Sequence, residues 1–144
     1  MNIRQKLNRY IPLMREIKYL ENKIANLRDR QTSIRSSSDA SETQACSGNS
    51  DKIGNSIAEL VDLENLYKSK IDIAIKELRE IEYIIDVLTP TERLLIRAKY
   101  IDGEQLEAIC GIIGYCYRQT KRIHGKALAK LESEYNQKLS PNVP

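Results

Sequence analysis

Residues 106–123 read LEAICGIIGYCYRQTKRI. Two helices that cross at a steep angle through a short turn need a small residue at the crossing, a glycine to reverse the chain, and apolar residues at set offsets to fill the corner. Here Cys110 is the small crossing residue and Gly114 the turn, while Ile109, Ile113, Thr120 and Ile123 fill the corner. On the second helix, three- and four-residue spacing puts Tyr117, Arg118, Lys121, Arg122, Gly125 and Lys126 on an outward face, opposite Thr120, Ile123, Ala127 and Leu131. That is the geometry of a helix-turn-helix whose second helix enters the major groove of DNA.

Charge is segregated along the chain in the same sense. The net charge is only +3. Residues 1–35 nevertheless carry nine Lys/Arg against three Asp/Glu, residues 36–110 eight against fifteen, and residues 111–144 six against two. Between Cys110 and Glu132 there is no acidic residue, and Arg118, Lys121, Arg122, Lys126 and Lys130 supply five cations. A cationic element beside an acidic middle fits a nucleic-acid-binding end piece, though a solvated basic helix face has the same composition.

Upstream, Thr89-Pro90-Thr91-Glu92 is a helix start, with Thr89 as N-cap, Pro90 at the first helical position and Glu92 closing a capping box. Helices are expected over about 90–101, 104–113 and 117–135. From Asp51 to Leu88, Ile53, Ile57, Leu60, Glu64, Tyr67, Ile71, Ala74, Leu78, Ile81, Ile85 and Leu88 alternate steps of four and three, a heptad pattern broken only by Glu64. A helix that long, roughly 57 Å at about 1.5 Å per residue, needs a partner for its stripe. The first helix, a second subunit, or both would serve. Leu63, Leu66, Ile73, Ile75 and Ile84 widen the face and favour three or more helices in contact.

Ile3, Leu7, Tyr10, Met14, Ile17, Ile24 and Leu27 make one apolar face before about Gln31, with a helix expected to begin or kink at Pro12. Residues 33–50, SIRSSSDASETQACSGNS, are too poor in large apolar side chains to offset ordering entropy and read as a mobile loop. The expected fold is therefore all-α. A helical hairpin or coiled-coil region spans 1–88, a helix-turn-helix domain 89–135, and a flexible tail 136–144.

Much chemistry is excluded. Cys46, Cys110 and Cys116 form no C-x-x-C pair, and His124 is the one histidine, so a zinc site is not expected. His124 sits among Lys121, Arg122 and Lys126, a poor setting for a catalytic base. No glycine-rich phosphate loop occurs. The expectation is a protein that is not an enzyme and uses no cofactor. No apolar run is long enough to span a membrane, and charges interrupt the N-terminal segment where a signal peptide would be apolar. A cytoplasmic protein with no membrane partner is expected.

The stretch GYCYRQTKRIHGKAL, residues 114–128, resembles the C-terminal helix-turn-helix of ArpU-like and RinA-like phage transcriptional regulators, which are related to the promoter-reading fourth region of sigma factors. The preceding RLLIRAKYIDGEQLEAICGIIGY, residues 93–115, is similar to that family too, as is a Ser-rich loop followed by a long heptad helix. The likeness is specific over about 90–131 and general before it. Where the family usually has Ser at the start of the recognition helix, this chain has Cys116, a weaker side-chain cap. The resemblance implies control of late phage or prophage genes in a bacterial cytoplasm, with host RNA polymerase as a further partner.

On this reading the partner is double-stranded DNA. Arg118 and Lys121 or Arg122 reach base edges, Gln119 has the chemistry to read adenine but lies nearer the side of the helix, and Lys126, Lys130 and Tyr117 contact phosphates. His124 packs at the edge of the corner, and Gly125 marks either a close approach to DNA or a tolerated helix glycine. A homodimer or other homo-oligomer is expected through the 51–88 helix. Two rivals share these features. A small terminase subunit also joins a DNA-binding helical head to an oligomerisation helix, and an interaction adaptor would use the coiled coil alone.

Overall fold

The computed structural model describes residues 2–37 and 49–139. Five helices and no strand occur among them: α1 (Ile3–Ser37), α2 (Asn49–Ile85), α3 (Pro90–Tyr100), α4 (Leu106–Ile113) and α5 (Tyr117–Leu139). The fold is all-α.

Packing divides the chain into two units, residues 1–14 with 74–144 and residues 15–73. In the first, α3, α4 and α5 pack against one another pairwise. Their core is shared with Ile3, Leu7 and Tyr10 of α1 and with Ile81, Ile84 and Ile85 of α2, alongside Leu95, Ile96, Ile109, Ala127, Leu128 and Leu131. The C-terminal helices therefore lean on the long helix α2, as a piece of about 47 residues would have to, and on the start of α1 as well. Lys6 is buried in this unit and pairs with Glu80 and, at 3.6 Å, Glu77. Burial disfavours its charge, but the two carboxylates outweigh that and hold its pKa above the ordinary lysine value.

That shared core explains why α1 runs through Pro12 without starting or stopping there. A proline inside a helix costs about 3 kcal/mol. Fully burying Ile3 and Leu7 returns about 1.5–3 kcal/mol each, so the turn before the proline is held helical by packing. Asn8, whose carbonyl loses its donor to Pro12, is exposed to water.

In the second unit α1 and α2 run antiparallel, as the pairs Lys70–Glu16 (2.8 Å) and Arg28–Glu64 require. Surface pairs of this kind add little stability but fix register. Ile17, Leu20 and Ile24 are buried, Leu60, Leu63 and Tyr67 half-buried, while Leu66 and Ile73 stay exposed. Glu64, the break in the heptad, is where Arg28 lands.

Several boundaries move. Residues 33–37 belong to α1 and Asn49-Ser50 to α2, so the expected loop contracts from both sides; residues 38–48, including Cys46, lie outside the described residues. α2 ends at Ile85, and Leu88 is buried from the following turn. Arg93 closes that end by donating from Nη2 to the carbonyls of Asp86 (2.9 Å) and Leu88 (3.1 Å). α4 begins at Leu106, two residues later than expected, because the chain from Gly103 (φ 75°) to Gln105 is non-helical. α5 continues to Leu139, so residues 136–139 are helix and not tail; residues 140–144 lie outside the described residues.

Candidate nucleic-acid interface

The site starts from two caps. Thr89 Oγ1 accepts the Glu92 N–H and Glu92 Oε2 accepts the Thr89 N–H at 3.1 Å, the capping box read from the sequence. It sets α3 against the pair that follows. α4 ends at Gly114, whose φ of 76° is left-handed and whose N–H donates to Cys110 O. A side chain would be strained there, and this reversal aims the next helix.

At the crossing, Cys110 Sγ lies 3.0 Å from Leu106 O and 3.3 Å from Thr120 Oγ1, and the Thr120 hydroxyl donates to Cys116 O at 3.0 Å. Thr120 is fully buried with its hydroxyl partnered. Ile109 is buried beside it, and Ile113 and Ile123 pack against the core from its edge. The corner expected from residues 109–123 is therefore assembled.

α5 turns Thr120, Ala127, Leu128 and Leu131 inward. Tyr117, Arg118, Gln119, Lys121, Arg122, Gly125 and Lys126 are all exposed. From Arg118 to Lys126 the helix rises about 12 Å, close to the width of the B-DNA major groove. Arg118, Lys121, Arg122 and Lys126 have no ion-pair partner among the described residues. Their charges face solvent uncompensated. Gly125 meets no atom within 4 Å at the position of an added Cβ, so nothing inside the protein requires glycine there.

Lys130, unlike those four cations, has an ion-pair partner among the described residues. Its Nζ sits 2.8 and 3.0 Å from the two carboxylate oxygens of Glu92. Burial pushes the Glu92 carboxyl up, but Lys130 and the Thr89 N–H outweigh it and hold the pKa below the usual range. Lys130 is thus a strut between α5 and the cap of α3, 38 positions back in sequence. No local pattern signals such a pair.

His124 packs at the edge of the corner, as expected, and also reaches α3. Its Nε2 is 2.9 Å from Tyr100 Oη, with the rings stacked. Burial lowers its pKa below the ordinary histidine value, and the charges of Lys99 and Arg4 lower it further. Arg4 and Lys99 thus bring positive potential to this flank of α5, from α1 and α3. Neither was singled out in the sequence, and only the shared core brings α1 here. A depression of about 420 Å³ beside Tyr117 is lined by Asn8, Lys99, Tyr100, Gln105 and Glu107 among others.

Among the described residues no three His, Cys, Asp or Glu stand together as metal ligands, and no helix is long and apolar enough to cross a membrane. Set against protein families, curated proteins and solved structures, the chain has no significant match.

Proposed function

We propose that the protein is a sequence-specific, double-stranded-DNA-binding transcriptional regulator of phage or prophage late genes, with α4 and α5 forming a helix-turn-helix. The observation that carries this reading is the unpaired cationic face of α5, held by a glycine-reversed corner and free of any acidic residue between Cys110 and Glu132. An ordinary solvated helix tends to intersperse both signs and to pair them. Arg118, Lys121 and Arg122 lie where base edges would be, and an Arg bonded to guanine O6 and N7 discriminates by about 1–3 kcal/mol. Lys126 and Tyr117 flank them at phosphate positions, and Gln119 lies at the side. The likeness of residues 90–131 to ArpU-like and RinA-like regulators supports the same reading and suggests RNA polymerase as a further partner. It acts in a bacterial cytoplasm, as a homo-oligomer joined through α2, and needs no cofactor or catalytic residue.

The test is selection of bound fragments from genomic DNA by the purified protein, beside the double variant Arg118→Ala, Arg122→Ala. One enriched motif that the variant loses supports the recognition helix, and its position near promoters supports regulation. A motif in packaging genes, with a ring of many subunits, would point to a terminase-like role. Binding without a motif, or unchanged in the variant, would sink the assignment.

A further inference from the structure

Helix α2 carries a second stripe beside the face it turns to α1. Glu64 and Lys70, whose partners are Arg28 and Glu16 of α1, bracket that first face. About a quarter-turn round the helix, Ile57, Val61, Glu64, Lys68, Ile71 and Ile75 follow one another at steps of four, three, four, three and four, so they align along one side. Ile57, Val61 and Ile75 are 44%, 47% and 44% exposed. Lys68 is exposed with no ion-pair partner among the described residues, Ile71 is half-buried, and Glu64 keeps part of its carboxylate open beside Arg28.

The order of the stripe is apolar, apolar, acid, base, apolar, apolar. Reversed, it is the same with the charges exchanged. A two-fold axis across α2 therefore sets Ile57 of one copy against Ile75 of another, Val61 against Ile71, and Glu64 against Lys68, each pair occurring twice. A parallel in-register pairing would instead place Glu64 on Glu64 and Lys68 on Lys68. Self-complementarity under a two-fold is what a contact between identical surfaces demands. A different partner would give no reason for the palindrome. We propose that this stripe is the contact between two copies of the chain, with their α2 helices antiparallel. The inference deepens the self-association stated above and does not depend on DNA binding.

The 144-residue chain is studied without DNA by sedimentation equilibrium at micromolar concentrations. The expected mass is twice the 16.5 kDa of one chain. Lys68→Glu disturbs no intrachain ion pair and should weaken self-association about tenfold or more, since each dimer then opposes like charges twice. Glu64→Lys should act in the same direction. The doubly exchanged Glu64→Lys, Lys68→Glu chain should return to within a few-fold of the wild type, and a thermal melt by circular dichroism confirms that each variant is helical. A wild-type monomer, an assembly larger than a dimer, or a Lys68→Glu protein that associates like the wild type would overturn the proposal. Fragment selection with the α5 variants reads the DNA function separately, so either can fail alone.

Discussion

Lys130 Nζ sits 2.8 Å from Glu92 Oε1, joining the middle of α5 to the capping box that starts α3. Glu92 thereby does two things: it closes a helix end and it receives a cation from a helix far along the chain. Lys130→Ala should lower unfolding stability by about 0.5–1 kcal/mol, because the lysine is half exposed. Glu92→Ala should cost about 1–2 kcal/mol, since the box is lost as well. Urea unfolding measures both. DNA affinity should respond less to Lys130→Ala than to Lys126→Ala.

The cationic face of α5 predicts a division of labour in salt. Lys126→Ala should weaken binding to all sequences about equally and reduce the slope of log affinity against log salt by about 0.9. Arg118→Ala or Arg122→Ala should instead flatten the preference for the selected motif over random DNA. Titrations at several salt concentrations with matched and scrambled duplexes separate the two.

Acid should destabilise the fold through His124. Its folded pKa is depressed by burial and by Lys99 and Arg4, so the unfolded chain takes up the proton first. The stability present above the ordinary histidine pKa of about 6.5 is then lost as pH falls through the folded value. His124 is the only histidine. Urea unfolding between pH 7.5 and 5.5 should show a slope that His124→Gln abolishes; a slope that persists in the variant would assign the effect to another group. Glu92, also depressed, loses its contribution only at lower pH.

Two glycines should part company. Gly114→Ala forces a side chain into a left-handed backbone and should cost about 1–2 kcal/mol. Gly125→Ala adds a methyl in open space within a helix and should stabilise by about 0.5–1 kcal/mol. If α5 lies in the major groove, the same methyl should reduce DNA affinity. A Gly125→Ala protein that is more stable and binds DNA unchanged would place that position away from the nucleic acid.

What could be read from the residues alone was local. The box at Thr89 and Glu92, the reversal at Gly114 and the corner of Ile109 and Thr120 each depend on neighbours within a few turns, where spacing carries the information. Lys130 and Lys6 were out of reach because their carboxylates stand 38 and 74 positions away. That the helix does not begin at Pro12 was hidden for the same reason. The proline's local preference is to end a helix, and the packing that overrules it is supplied by residues near the other end of the sequence. Arg4 and Lys99 escaped notice because only the folded core sets their charges near His124.

The shared core around Leu7 and Leu131 also governs when the molecule can fold. Contacts this distant in sequence close slowly, and a chain emerging from the ribosome holds its early segment long before the later one exists. Ile3, Leu7 and Tyr10 must remain uncommitted until α5 has been made. A chain interrupted before α5, and equally a fragment begun at residue 89, lacks part of that core. The α5 face is thus presented only on a chain that already carries both α1 and α2.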